Sequence, residues 1–472
     1  MSHEIRADYS QMWMFPPSLN DLVPKDHPVR FIREFVDALD LDSLGFRMRK
    51  GDEGRPNYAA DLLLKVWLYG YLERIRSSRG LEKACRQHMA LLWLTGMNTP
   101  DHNSLWRFWR DNKKALKEVF RQTVRVGMAA GLVDMVLNAV DGTKITARAS
   151  TDKAWMRKNL EKRLAKLDKV LDLTMAEVER AEEREAGEYK LPDELVEQGK
   201  LRETIREKLA KLKEEERDHM HPGEPEAQMM KNHEGTRLGY NAQAVVDSTA
   251  GMIVAGDVTT DQNDLQQLVP MLQTVQEELG KVAEETVADG GYCSGEQLDS
   301  AQQSGFPVLV NLSSVRKAEE AGGPYHISKF TYDSENDCYQ CPMGQKLVFE
   351  KIGNHKDKRY PIRRYRCKSA KQCPVRWNCS RDKRGRCIDR NPYVDAVLRQ
   401  KRKQEDEAKT ALLHRRMVIV EPVFSRVKHL LEFRRWTMGG LEKVKAQWAF
   451  ICALQNLMRM YPFWRERKLQ FG

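Results

Sequence analysis

The sequence predicts a multidomain α+β protein, and three observations predict it. Residues 1–130 repeat apolar side chains at helical spacing. Residues 131–315 alternate short apolar runs with turn signals and helix-like stretches, the pattern of a mixed sheet with its helices. Two segments of different composition interrupt that pattern. One, at 152–225, is rich in Lys, Glu, Arg and Leu; the other, at 325–392, holds six of the nine cysteines. Residues 393–472 return to a helical pattern and are basic. A chain of 472 residues suffices for two to four domains of ordinary size.

Taken in order, residues 1–30 carry Trp13, Phe15, Pro16, Pro17 and Pro24 and read as an extended arm. VRFIREFVDALDLD and YAADLLLKVWLYGYLERI have helical apolar spacing, with Asp61 as a candidate N-cap for the second. Pro100–Ser104 reads as a turn before a short helix that carries Arg107 and Arg110. That arrangement suits a helix-turn-helix element with the arginines reaching phosphate or guanine. The competing reading makes Trp106 and Trp109 core and leaves the arginines solvated. His102 reads as a cap or turn residue. The helical domain, residues 1–130, is long enough to fold by itself. In 152–225, two charged helices form an antiparallel hairpin joined near Gly187–Pro192. From Arg237, two strands around Ser248–Gly251 make a hairpin, and DQNDLQQLVPMLQTVQEEL reads as a helix.

Three acids stand out. In MVLNAVDGTKI an apolar strand ends in Asp141; in ETVADGGYCSG another ends in Asp289; in VIVEPVFSRVK a helix carries Glu421 and Lys428. A buried strand end is a costly place for a carboxylate unless something compensates it, and converging carboxylates commonly hold a divalent cation. For Asp141 alone, a turn acid is the plainer reading. VDGTKI, VADGGY and VEPVFSRVKHLLEFRRWTMGGL, with AQWAFICALQNLMRM, together resemble the three blocks of a bacterial DDE-type insertion-sequence transposase. GRPNYAADLLLKVWLYGYLERIRSSRGLEKACRQHMALLWLTGMNTPDHNSLWRFW resembles the helical N-terminal module of many such enzymes. The resemblance implies an RNase H-like catalytic core at 131–315 with the helical insertion at 152–225, completed by 393–472. It also implies Asp141, Asp289 and Glu421 as an acidic triad holding two Mg²⁺ ions for in-line phosphoryl displacement. A related branch carries Tyr and Arg before the last acid. Here His414 and Met417 hold those places, with Arg415 and Arg416 beside them.

In 325–392, Cys338-Tyr-Gln-Cys341 resembles a zinc knuckle, and Cys367, Cys373, Cys379 and Cys387 follow. Cys338, Cys341, Cys373 and Cys379 are the expected ligands of one structural Zn²⁺ in a zinc-ribbon-like insertion. The alternative is a metal-free cluster packed as small apolar side chains. Lys356, Lys358, Arg359, Arg363, Arg364 and Arg366 alternate with Tyr360 and Tyr365, which suits a DNA backbone or a solvated face. The net charge of +11 fits a polyanionic partner. No run of about 20 apolar residues is present, so no membrane span is expected. The first residues lack the pattern of a secretory signal, so a cytoplasmic, nucleoid-associated location is expected.

The resulting expectation is a DNA transposase. It would bind the terminal inverted repeats of its mobile element, cleave the strand and transfer it to target DNA, as a homodimer on double-stranded DNA. Arg107, Arg110, Lys428, Arg434 and Arg435 are its expected DNA contacts. An inactive DNA-binding remnant or repressor, and a metal-dependent nuclease without strand transfer, are the alternatives.

Overall fold

The computed structural model describes residues 18–47, 57–182, 193–232, 235–353 and 360–471. Trp13, Phe15, Pro16 and Pro17 of the expected arm, the turn of the charged hairpin, and Lys356, Lys358 and Arg359 lie outside them. The chain forms two compact units, one of Met1–Leu132, Ile145–Ala227 and Ser425–Gly472, the other of Val133–Lys144 and Gln228–Phe424.

The first unit opens with α1 (Pro28–Asp37), α2 (Ala60–Leu72), α3 (Ser78–Gln87), α4 (Met89–Leu94), α5 (His102–Asp111) and α6 (Lys113–Ala129). Pro28 starts α1 where no amide partner is needed, and the His27 ring nitrogen accepts from the Val29 amide at 3.2 Å. α2 is buried at every position from Leu63 to Tyr71, as a helix apolar nearly all round should be. Its one buried cation, Lys65, draws in Asp61 at 2.8 Å. Asp61 therefore sits in the first turn as an ion-pair partner, and Ala59 is the N-cap. Asp101 caps α5 by accepting from the amides of Asn103 and Ser104 at 2.9 and 3.0 Å. His102 begins that helix, its Nδ1 at 2.7 Å from Glu82 Oε2.

The apolar run Leu441–Tyr461 is expected from its sequence to form a helix that packs on the sheet, and the helix observed is Leu441–Arg465. In the structure it packs along α6 and touches α1 and α2. Buried polar pairs fix that choice: Gln447 donates to the Tyr71 hydroxyl at 2.8 Å, and Asn456 to Thr123 Oγ1 at 3.0 Å. Between them Phe450 lies edge-on to Tyr71 and Trp109, with centroids 5.0 Å from each.

β1 (Leu137–Thr146) is followed by β2 (Trp155–Met156), α7 (Arg157–Glu182), α8 (Asp193–Glu214) and β3 (His219–Met220). β2 and β3 pair antiparallel, so the helices between them run out and back. Ile205 and Leu212 are buried, and Arg202 meets Asp168 at 2.6 Å.

The second unit contains β4 (Gln228–Asn232), β5 (Gly235–Asp247), β6 (Ile253–Thr259), α9 (Leu268–Leu279), β7 (Glu285–Ala288), α10 (Gly295–Gln303) and β8 (Val308–Val310). The strands lie in the order β4-β5-β1-β7-β8, and β6 pairs with β5. β5 is long enough to hold both β4 and β6 antiparallel, at opposite ends. β1, β7 and β8 are parallel, with Val140 opposite Ala288. Ala139, Val140, Val287, Ala288, Leu309 and Val310 are wholly buried, which accounts for the apolar runs before both acids.

A separate five-stranded antiparallel sheet follows: β9 (Thr331–Asp333), β10 (Cys338–Gln340), β11 (Lys346–Gly353), β12 (Ile362–Cys367) and β13 (Cys387–Arg390). It closes on a small core of Phe330, Tyr339, Leu347, Tyr365, Cys367 and Ile388.

Candidate active site

β1 continues past Asp141 to Thr146, so that acid is not at the strand's end. It stands where pairing with β7 stops, one residue after Val140. Asp289 directly follows β7, and its Oδ1 accepts from the Gly291 amide at 2.9 Å. The parallel register therefore sets the two carboxylates side by side. Arg416, on the helix Glu407–Ser425, reaches both: Nη1 is 3.0 Å from Asp141 Oδ2, and Nη2 is 4.0 Å from Asp289 Oδ2. Its side chain is 16 % exposed and that of Asp141 21 %.

A second layer supports the pair. Asp264 Oδ1 accepts from Asn241 Nδ2 and from Gln243 Nε2, both at 2.7 Å. Gln243 in turn accepts from the buried Tyr292 hydroxyl. Asn241 and Gln243 are two apart on β5 and so share a face. Two glycines let these groups approach. A Cβ on Gly142 would stand 2.4 Å from Gln243 Nε2 and 2.8 Å from Asp264 Oδ1. One on Gly291 would stand 2.9 Å from Asp289 Oδ1 and 3.7 Å from Asp264 Oδ2. Asp264 belongs to the same pocket of charge, although the sequence reading absorbed it into a helix. That helix begins later, at Leu268, and its N-cap is Gln267. Asp264 stands five residues beyond the end of β6, in the loop before the helix, so no local pattern marks it.

Burial raises the Asp141 carboxyl to about 6; nearby Asp289 adds to the rise, and Arg416 and the Gly142 amide oppose it. Burial first, then the charges of Asp264, Asp141 and Asp289, push the Tyr292 phenol far up, so it stays protonated. Because the folded value of Asp141 exceeds the ordinary 3.8, the native state holds this proton more tightly than the unfolded chain. Its contribution is thus most favourable below about 4 and is lost as pH rises through about 6. Full expression of that shift amounts to roughly 3 kcal/mol. Thermal melts of Asp141→Asn in metal-free buffer should lack this fall in stability between pH 4 and 6, while the native chain shows it.

Glu421 is exposed on the helix that carries Arg416, and five residues separate them, about 140° of helical turn. Among the described residues, no three or more His, Cys, Asp or Glu side chains stand together as a metal cluster. The structure thus joins Asp141 with Asp289 and Arg416, and does not draw Glu421 into the pair. The paired carboxylates nonetheless fit a hard divalent cation. They are oxygen donors, they already face a cationic group, and the buried Oδ1 of Asn241 nearby has no hydrogen-bond partner.

The expected DNA contacts scatter. Arg107 and Arg110 line one cleft of about 790 Å³ with Arg47, Tyr58, Ser104 and Asn112. Arg110 is forked onto Asp111 at 2.6 and 3.0 Å. Of the two tryptophans beside them, Trp109 is buried and Trp106 is 37 % exposed. Lys428 lies in a π-helix, Arg426–Leu430. The α-helix runs on through Pro422 to Ser425, and the π-turn then breaks the α-helical period expected from Glu421 to Lys428. Arg434 donates to the Lys428 carbonyl at 3.2 Å, and Arg435 donates to the Ala147 carbonyl at 3.0 Å.

All six cysteines of the small sheet are free thiols. Cys338 is buried within β10, opposite Asp333 and Val348. Cys341 and Cys379 pack against the core that contains Cys367. Burial raises the Cys367 and Cys379 thiols, and Cys341 and Cys373 add to it. The strand arginines are paired: Arg364 with Asp389 at 2.7 Å, and Arg366 with Glu350 at 2.7 Å and Asp382 at 3.0 Å.

Comparison with known families now bears on this geometry. Residues 340–461 match the family described as "Transposase DDE domain", and residues 17–111 match "Transposase domain (DUF772)". Both matches are to transposase families, and each covers about a quarter of the chain or less. The first match spans Arg416, Glu421 and Lys428, and the second spans α1 to α5. Asp141 and Asp289 fall between them. No curated protein matches the chain. Among the described residues, no helix is long and apolar enough to cross a membrane.

Proposed function

We propose that the chain cleaves DNA at the ends of its mobile element and joins the freed strand to target DNA. The observation that carries this reading is the pair Asp141 and Asp289, set side by side on parallel strands in a chain whose two ends match transposase families. The spatial order β6-β5-β1-β7-β8, third-second-first-fourth-fifth along the core, supports an RNase H-like sheet. Asp141 and Asp289 would hold Mg²⁺, and Glu421, the third acid the family resemblance implies, would have to be brought to them by a movement of its helix. The chemistry supplied by bound Mg²⁺ is activation of the attacking hydroxyl and relief of charge on the leaving 3′ oxygen. Gly142 and Gly291 let Gln243, Asp264 and Asp289 close in beside the backbone of the site. Asn241 and Gln243 fix Asp264, and Tyr292, held protonated, anchors Gln243 from beneath.

The test is a plasmid carrying this reading frame with its flanking DNA, incubated with the protein and Mg²⁺. Cleavage at the element boundary followed by joining supports the proposal. Nicking without joining identifies a nuclease, and binding with neither step identifies a remnant. The element ends are double-stranded and occur in pairs, so a homodimer on DNA is part of the proposal.

The cleft around Arg107 is the proposed reader of the element end. Arg107→Ala should weaken binding to end DNA by about 1–3 kcal/mol and binding to scrambled DNA much less. Arg110→Ala should cost less, because Arg110 must first leave Asp111. A salt-controlled titration against both DNAs measures each effect.

We further propose that the small sheet takes one Zn²⁺ on Cys338, Cys341, Cys373 and Cys379, which the metal would have to draw together, because among the described residues they form no cluster without it. Elemental analysis should then find about one Zn²⁺ per chain, lost in the double variant Cys338→Ser, Cys341→Ser. A zinc-free native protein would assign these thiols to the apolar core.

A further inference from the structure

Arg416 is the group nearest the two acids that neither the sequence reading nor the triad assigns. One guanidinium lies against carboxylates from two adjacent strands, 3.0 Å from Asp141 and 4.0 Å from Asp289. It is only 16 % exposed, so solvent screens the contact little. Asp141 follows the wholly buried Val140 on β1, and a carboxylate there requires a counter-charge. On its own helix, Leu413, Ile419, Val420 and Val423 are buried and hold that face inward. Met417, in the place a related branch gives to arginine, is 54 % exposed.

We propose that Arg416 is a positioning residue that serves as a built-in counter-cation for the acid pair. It aligns Asp141 and Asp289 in the metal-free chain and competes directly with the first divalent cation. At comparable distances the repulsion between a dication and the guanidinium cancels what the guanidinium gains from two carboxylates and halves what the metal gains, so the guanidinium is the group that gives way. Entry of the metal therefore requires the guanidinium to withdraw, and the strength of the Arg416 contact sets the metal affinity of the site. The inference rests on the metal-dependent reading of Asp141 and Asp289.

The test is Mn²⁺ binding to the full chain without DNA, followed by the loss of the free-ion paramagnetic resonance signal. Arg416→Gln should bind Mn²⁺ about tenfold more tightly than the native chain, because the competing charge is gone. Arg416→Lys keeps the charge with a single contact and should fall between the two. Adding Asp141→Asn to Arg416→Gln should remove the gain, which locates it at this pair. Circular dichroism checks that each variant is folded, and the lysine variant carries the test if the glutamine variant is not. Equal or weaker binding by folded Arg416→Gln, with binding still lost on Asp141→Asn, would overturn the counter-cation role and leave the metal reading intact. Absence of Mn²⁺ binding at the pair in both native and Arg416→Gln chains would overturn both.

Discussion

Asp141→Asn is expected to abolish Mg²⁺-dependent cleavage of element-end DNA while leaving DNA binding within about twofold. The substitution is nearly isosteric, so the strand register of Val140 with Ala288 survives. It removes a carboxylate charge that the metal requires, while Asp289 remains on the neighbouring strand. Metal stabilisation of a phosphoryl-transfer transition state is worth several kcal/mol. The loss in rate should therefore be at least about a thousandfold. Asp289→Asn should behave alike. The measurement is single-turnover cleavage of pre-bound DNA, with binding followed separately by anisotropy. Retained cleavage in either variant would remove that acid from the chemistry.

Trp109→Ala should cost about 3–5 kcal/mol, the largest effect expected from one side chain in the first unit. Trp109 is 1 % exposed, and its ring centroid lies 4.9 Å from Trp67 and 5.0 Å from Phe450. It also stacks on Tyr71 at 5.7 Å. Removing the indole leaves a cavity among three rings that rigid helices cannot close. Urea unfolding followed by tryptophan fluorescence measures the change, and a cost below about 1 kcal/mol would show that the site collapses. The same packing bears on the fragment 1–130. Without Leu441–Arg465 it exposes Tyr71, Trp109 and Thr123 and loses both buried amide partners. It should therefore be unstable alone and recover when residues 425–472 are supplied.

The helices of residues 1–130 and the apolar strands around Val140 and Val287 were legible because each buries a face with its own period. Asp-Gly after Val140 reads as a turn, yet β1 runs to Thr146. There the backbone of Arg434–Trp436 pairs with Thr146, a partner nearly 290 residues away in sequence that no local pattern reveals. The last helix was misplaced for a related reason. Its apolar face fits any buried surface, and only the Gln447–Tyr71 and Asn456–Thr123 pairs select α6 and its neighbours. At the site, Asp141 and Asp289 announced themselves by following apolar runs. Arg416 and Asp264 did not, because their roles arise from strand register and from the inward face of a helix. The basic run at 363–366 suits a DNA backbone or a solvated face by its own sequence, and the acids that pair its arginines come from other strands and loops that no local pattern supplies.

The most direct test of the central claim is anomalous diffraction from crystals of the full chain grown with Mn²⁺. An anomalous peak between Asp141 and Asp289, with Arg416 turned away from both carboxylates, is the expected result. A Mn²⁺-saturated, cleavage-competent protein with its ions elsewhere and Arg416 still seated on Asp141 would contradict the assignment of these acids.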